Sequence, residues 1–315
     1  MNPASALFGG IVRLRNALYD RGILGVHKLA RPVISVGNIS VGGSGKTPFV
    51  ISFGHLLMER GIKLDILSRG YGRESKAVAI VDPNGSPDQF GDEPLLIARK
   101  LGAPVIVGAD RYKAGLLAEQ KFPQSTLHLL DDAFQHRRLH RDFDIVLVGE
   151  EDARESLLPA GRLREPVSAL TRADAVVLPS ASTVTIPGKT AWQMRRNIQV
   201  EGSMNRVVAF CGLARPAQFF AALKDSGIQL LETIIFPDHH RYRQSDVQRL
   251  LESRKRTEAQ GFITTEKDAI NLGALSKQLP GCETAILQLE LENATEAVAA
   301  LLRTLEQRCG FRASS

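Results

Sequence analysis

The residues best suited to chemistry are Ser40-Val41-Gly42-Gly43-Ser44-Gly45-Lys46-Thr47. They follow an apolar run, residues 32–36, that reads as a buried strand. They precede Phe49, Val50, Phe53, Leu56 and Leu57, which open a helix. Strand, glycine-rich turn and helix form the setting in which Gly-Lys-Thr binds phosphate. Glycine lets consecutive N–H groups turn inward, and the helix N-terminus adds positive potential. In that frame the eight residues wrap the phosphates of ATP. Lys46 reaches the β- and γ-phosphates, and Thr47 offers its hydroxyl to Mg²⁺. Ser40 stands where this motif usually has glycine, and Val41 where one ATPase class carries an extra lysine. Gly42 and Gly43 compensate by freeing the turn.

Further along, Leu127, His128, Leu129 and Leu130 run into Asp131-Asp132. An apolar strand ending in carboxylates is the usual second half of a phosphate-loop site, where it positions Mg²⁺ and its waters. A basic run from His136 to Arg141 follows at once and suits an anionic substrate. Arg69, Tyr71 and Arg73 sit after another apolar run, where ligands bind in open α/β sheets. Gly91-Asp92-Glu93-Pro94 opens a helix, and by position alone Asp92 reads as a partner of the helix dipole. Asp238-His239-His240 ends a strand. Its histidines lack the spacing of a helical zinc pair, so no zinc is expected. A histidine there that faces the first domain can instead support a base by hydrogen bonding.

The elements that must hold these residues alternate. Strands are predicted over residues 64–67, 78–81, 105–107, 127–130, 144–148 and 175–178, with helices between them. Residues 180–188 turn to Ser, Thr, Pro and Gly, the composition of a boundary. Beyond it, strands are predicted over 207–210, 230–236, 262–264 and 285–291, with a closing helix over 297–305. Ser245 and Gln248 fit a capping box for the helix carrying Val247 and Leu250. The class is α/β: a phosphate-loop, mostly parallel sheet flanked by helices, with a second, smaller α/β domain. The expected divisions are an N-terminal amphipathic helix over 1–30, a phosphate-loop domain over 31–185, a linker over 186–205 and the smaller domain over 206–315. In the first segment Leu7, Ile11, Leu14 and Leu18 recur at helical spacing, widened by Phe8, Val12 and Tyr19, with Arg13, Arg15 and Arg21 alongside.

Composition sets bounds. The 315 residues are 43% hydrophobic and 23% charged, ordinary for a globular chain. A net charge of +6 favours an anionic partner: nucleotide, nucleic acid or an acidic membrane surface. No run free of charged residues reaches the roughly 18 needed to span a bilayer. The basic residues follow the first apolar ones, so no signal peptide is expected. Cys211, Cys282 and Cys309 are scattered and odd in number, which suggests a reducing compartment.

Taken in order, the motifs resemble one family, the tetraacyldisaccharide 4′-kinases of lipid A synthesis, over nearly the whole chain. The resemblance rests on residues 33–38, the loop ending Gly-Lys-Thr-Pro48, residues 68–73 and 91–94, and Asp131-Asp132-Ala133-Phe134-Gln135-His136-Arg137-Arg138. It continues through Leu158-Pro159-Ala160-Gly161, Leu163-Arg164-Glu165-Pro166, Phe236-Pro237-Asp238-His239 and Thr265-Glu266-Lys267-Asp268. Ala133 departs from an expected glycine. The resemblance implies transfer of the γ-phosphoryl of ATP to the 4′-hydroxyl of an acylated glucosamine disaccharide 1-phosphate, at the cytoplasmic face of an inner membrane, with a peripheral or monotopic attachment. It implies that Thr47, Asp131, Asp132 and Glu165 hold Mg²⁺ and that Asp92 is the base, hydrogen-bonded to His239. Arg69, Tyr71, Arg111, Gln135, His136 and Arg164 are its candidates for the sugar, the 1-phosphate and the nucleotide phosphates. It also gives the basic N-terminal helix a purpose: contact with an anionic membrane surface that keeps the acyl chains.

Two other readings compete. One is a nucleotide switch that docks on membranes, weakened by Val41 in place of the extra lysine. The other is a nucleic-acid-binding ATPase. With 4 Tyr and 1 Trp there is no ribbon of aromatics for stacking on bases, so no nucleic acid is expected.

Overall fold

The computed structural model describes residues 2–43, 45–180 and 182–312. The strands are β1 (Val33–Asn38), β2 (Leu64–Ser68), β3 (Ala79–Ile80), β4 (Val105–Val107), β5 (Leu127–Leu130), β6 (Phe143–Leu147), β7 (Ala175–Pro179), β8 (Thr190–Val200), β9 (Arg206–Cys211), β10 (Gln229–Ile235), β11 (Gly261–Thr265) and β12 (Cys282–Leu291). The helices are α1 (Pro3–Asp20), α2 (Lys46–Met58), α3 (Pro87–Phe90), α4 (Asp92–Leu101), α5 (Arg111–Lys121), α6 (Pro216–Asp225), α7 (Gln244–Thr257), α8 (Glu266–Leu272) and α9 (Ala294–Cys309). Among the described residues the strands form one sheet in the order β10-β9-β11-β12-β8-β7-β6-β1-β5-β2-β4-β3.

Pairing is parallel except for β3 with β4 and β8 with β12. Parallel strands must be covered on both faces, which explains the fully buried β1, β2, β5 and β6. β1 lies between β5 and β6, with Ser35 opposite Leu130 and Asp144. The turns after β1, β2 and β5 therefore open on the same edge of the sheet. Ligands bind at that edge in open α/β sheets.

β8 occupies much of the segment read as a linker. It pairs parallel to β7 and antiparallel to β12, joining the two halves into one sheet. Its apolar residues alternate, and Trp192 and Met194 point inward while Arg195, Arg196 and Asn197 stand between or beyond them. A search for contiguous apolar runs passes over such a strand. Trp192 packs near Phe53 and Phe143, at 6.0 and 6.1 Å between ring centroids. The end of the chain also crosses back: Val298, Leu301 and Leu305 of α9 share a core with Phe53 and Leu57 of the first half. Helical periodicity gives α9 an apolar face but not the sheet that it covers. α7 begins two residues earlier than the Ser245 capping box implies, and the Arg243 N–H donates to Asp246 instead.

α1 ends at Asp20, with Arg21 at its C-cap. Ser5, Gly9 and Val12 face inward, while Leu7, Ile11 and Leu14 are exposed. The Ser5 hydroxyl donates to the Leu157 carbonyl at 2.9 Å, and Arg15 donates to the Gln135 carbonyl at 2.7 Å. The helix is thus pinned by its small and polar face, and its apolar stripe is left to the outside. No helix among the described residues is long and apolar enough to cross a membrane.

Candidate active site

The turn after β1 has the backbone that its glycines imply. Gly42, Gly43 and Gly45 lie at φ of +72°, +57° and +80°. At Gly43 a Cβ would also stand 2.8 Å from Cγ of Arg215, which reaches over from the second half of the chain. Ser40 and Val41 have no positive φ, so no glycine is required at either. Ser40 is fully buried in a bridge to Leu163, and Val41 N–H donates to the Arg162 carbonyl at 2.8 Å. Ser44 lies outside the described residues. Lys46 starts α2, and its ammonium lies 3.2 Å from Asn38 Oδ1 and 3.5 Å from Asp132 Oδ1. Thr47 is buried beside it.

The two aspartates after β5 are unlike. Asp131 is buried; one carboxylate oxygen accepts from Ser68 at 3.2 Å, and the other has no hydrogen-bond partner. Burial, reinforced by Glu93 and Asp132, raises its pKa to about 7. Asp132 sits at φ +47° and accepts from Arg164 at 2.7 and 3.1 Å. Burial alone would raise it, but Lys46 and Arg164 outweigh that and hold it well below the usual carboxylate range. Glu165, the fourth metal candidate, has its carboxylate occupied. It accepts from Arg172 at 2.9 and 3.1 Å and from Asn16 of α1 at 2.7 Å. To ligate a cation it would have to exchange those bonds.

Asp92 and His239 meet across the two halves. Gly91, at φ +88°, turns the chain into α4 and sets Asp92 in the first turn, 4% exposed. His239, at φ +58°, brings Nδ1 to 2.9 Å from Asp92 Oδ2. Asn271 of α8 donates to the same oxygen at 3.1 Å. Burial would raise Asp92, yet His239, Lys267 and Asn271 together lower it to about 2. For His239, burial disfavours the charged form but the bond to Asp92 raises it on balance.

The six candidates for substrate contact spread along the same edge. Arg111, at the start of α5, is buried, and burial lowers it to about 10 against the pull of Asp131 and Asp132. Arg69, after β2, is close enough to act on its charge. Burial, with Arg111 and Arg141, lowers His136 to about 4, so it is neutral near pH 7. Gln135 donates to the Asn38 carbonyl at 2.8 Å, and Arg164 is tied to Asp132 and Asn38. Tyr71 is exposed, with its ring centroid 5.0 Å from that of His239. The structure therefore joins Arg69, Arg111 and His136 near the aspartates, builds Gln135 and Arg164 into the frame, and stations Tyr71 beside the histidine.

Sequence reasoning passed over Asn38, Lys267 and Asn271. Asn38 was visible as a polar end to an apolar strand. Lys267 lay in a quoted motif with no role attached, and Asn271 follows it by one helical turn.

The family described as tetraacyldisaccharide-1-P 4′-kinase matches residues 1–307. The chain belongs to this family. A tetraacyldisaccharide 4′-kinase of Koribacter versatilis is 47% identical over 323 residues, covering 98% of this chain and 100% of that one. One from Aquifex aeolicus is 42% identical over 290 residues, covering 86% and 88%. A crystal structure of the Aquifex aeolicus family member in complex with ATP superposes with a TM-score of 0.79 at 37% identity, covering 96% of this chain and 97% of that one. The expected α/β phosphate-loop fold and the expected family both stand.

Proposed function

We propose that this protein transfers the γ-phosphoryl group of ATP to the 4′-hydroxyl of tetraacyldisaccharide 1-phosphate, completing the bisphosphorylated lipid A precursor. Membership in the 4′-kinase family supports the reaction. The observation that carries the site is the Lys46 ammonium, held between Asn38 and Asp132 beside the orphaned buried oxygen of Asp131.

Phosphoryl transfer depends chiefly on positioning and on charge stabilisation. Lys46 and the loop amides hold the phosphates and offset charge on the group in flight. Mg²⁺ fits the donors present, since Asp131 and Thr47 offer hard oxygens and Mg²⁺ takes its remaining ligands from phosphate and water. Bound there, it would neutralise phosphate oxygens. Asp132 then serves mainly to fix Lys46 and Arg164. Asp92 accepts the proton of the 4′-hydroxyl. A carboxylate held near 2 is a weak base, and that suits a loose transition state in which orientation matters more than early proton removal. Arg69, Arg111 and His136 face the anionic parts of the two substrates, and Tyr71 flanks the sugar.

The lipid stays in its bilayer. Leu7, Ile11 and Leu14 are 69%, 58% and 62% exposed on α1, with arginines on the same helix. Such a face enters the headgroup region of an anionic membrane and makes the protein peripheral to the cytoplasmic leaflet of the inner membrane. Asn16 and Arg15 tie this helix to Glu165 and Gln135, so the bilayer contact and the site move together. Phosphorus NMR of the product tests the chemistry: a new phosphate coupled to the 4′ proton is expected. Phosphate on any other hydroxyl, or free phosphate alone, would refute the reading.

A further inference from the structure

Lys267 has no part in the roles above, yet its ammonium stands among four groups around the base. It lies 3.1 Å from Asp238 Oδ1, 3.3 Å from His239 Nε2, 3.7 Å from Glu93 Oε1 and 3.8 Å from Asp92 Oδ2. Its side chain is 14% exposed. Burial works against its charge, but the three carboxylates outweigh burial and raise it, so it is an ammonium at neutral pH. An ammonium has three donors and no acceptor. A histidine nitrogen at hydrogen-bond distance from it must therefore present a lone pair.

That requirement decides the state of the ring. With Nε2 accepting from Lys267, a neutral His239 carries its proton on Nδ1. Nδ1 then donates to Asp92 at 2.9 Å, the direction that supports a carboxylate. The opposite tautomer would aim one N–H at an ammonium and a lone pair at a carboxylate, and both contacts would repel. Asp238, with Oδ2 3.9 Å from Nε2, is the other charged group on this side of the ring, and its Oδ1 accepts from Lys267. Lys267 and Asn271 stand one turn apart on α8, so a single helix supplies both the lock on the histidine and a second donor to Asp92.

We propose that Lys267 is a positioning residue: by donating to Nε2 it fixes His239 as the Nδ1-protonated tautomer and so orients Asp92 for the acceptor hydroxyl. The proposal rests on Asp92 as the base. It adds that the base is complete only while α8 of the second half rests against α4 of the first.

The test uses the full chain with histidine labelled in heavy nitrogen. Imidazole nitrogen NMR reads the tautomer, and His239→Asn identifies the signal. At a pH high enough for the ring to be neutral, wild-type protein is expected to show Nδ1 protonated and Nε2 bare. Lys267→Met should abolish that pattern and lower kcat by about 10- to 100-fold, short of the 10²–10⁴ that a positioned base contributes. KM for ATP should stay within about threefold, since Lys267 does not touch the phosphate loop. Lys267→Arg, also a donor only, should keep the tautomer and recover most of the turnover. A neutral His239 protonated on Nε2 in wild type overturns the proposal. So does a Lys267→Met protein with an unchanged ring and unchanged turnover. If Lys267→Met does not fold, the wild-type and Lys267→Arg spectra decide. Because the tautomer is read without substrate, a chain that phosphorylated no lipid would refute the kinase reading, and with it the orienting role, while the tautomer assignment is decided by its own spectrum.

Discussion

His239→Ala should matter only through Asp92, and the structure sets the scale. The net pull on Asp92 from 3.8 to about 2, after burial has been offset, corresponds to about 2 kcal/mol favouring its ionised form. His239, Lys267 and Asn271 produce that net figure against the cost of burial, and His239 is the largest contributor among them. Losing the imidazole also frees the carboxylate to rotate away from the acceptor. His239→Ala is therefore expected to lower kcat by tenfold or more, with KM for ATP little changed. Asp92→Ala removes the base itself and should cost about 10²–10⁴, or about 3–5 kcal/mol. Once Asp92 is gone His239 has nothing to orient, so the double variant should fall no more than about threefold below Asp92→Ala. That difference is a coupling of about 0.7 kcal/mol or more. Steady-state kinetics on the four proteins, at saturating ATP in mixed micelles, measures it. Losses that add to within about 0.5 kcal/mol would mean that the two residues act independently, and the dyad would have to be abandoned.

Three other outcomes are expected. Acid should unfold the protein partly through Asp92: its folded value lies below its unfolded one, so its contribution of about 2 kcal/mol is whole above pH 4 and fades as pH falls toward 2. Asp92→Asn should flatten that part of the stability–pH curve, and an unchanged curve would contradict the assignment. Ile11→Glu with Leu14→Glu should weaken binding to anionic vesicles by more than about tenfold and leave the melting temperature near wild type, because both side chains already face outward; vesicle sedimentation checks the first and a thermal melt the second. Trp192→Ala should destabilise the chain by about 3–5 kcal/mol in a denaturant titration, because β8 is a core strand and Trp192 is 5% exposed. A loss under 1 kcal/mol would mean that β8 adds little to the sheet.

Much of this molecule was legible before its structure. The phosphate loop declares itself because glycine, lysine and threonine are required in fixed order between a strand and a helix. Asp131-Asp132 stands out only together with that loop, because an apolar strand ending in carboxylates is common by itself. Longer-range facts were hidden. β8 is buried on alternate residues and reads as polar. α9 carries its apolar face without naming its partner. Glu165 looks like a free ligand in a loop, and only the fold brings Arg172 and Asn16 against it. The use of Lys267 could not be read at all, because its meaning lies in which nitrogen of His239 it faces. Asp92 shows the same limit from the other side. Its place in the first turn of α4 is ordinary, and the contact with His239, 147 residues away, is what sets it apart.

Transfer of label from γ-labelled ATP to a detergent-dispersed tetraacyldisaccharide 1-phosphate, run for wild type beside a folded Lys46→Ala protein, bears on the whole reading at once. Labelled lipid in the wild-type lane, reduced by about a hundredfold or more in the variant, is the expected result. Labelled lipid at near-equal rates in both lanes would remove the phosphate loop from the reaction, and labelled inorganic phosphate alone would make the protein an ATPase.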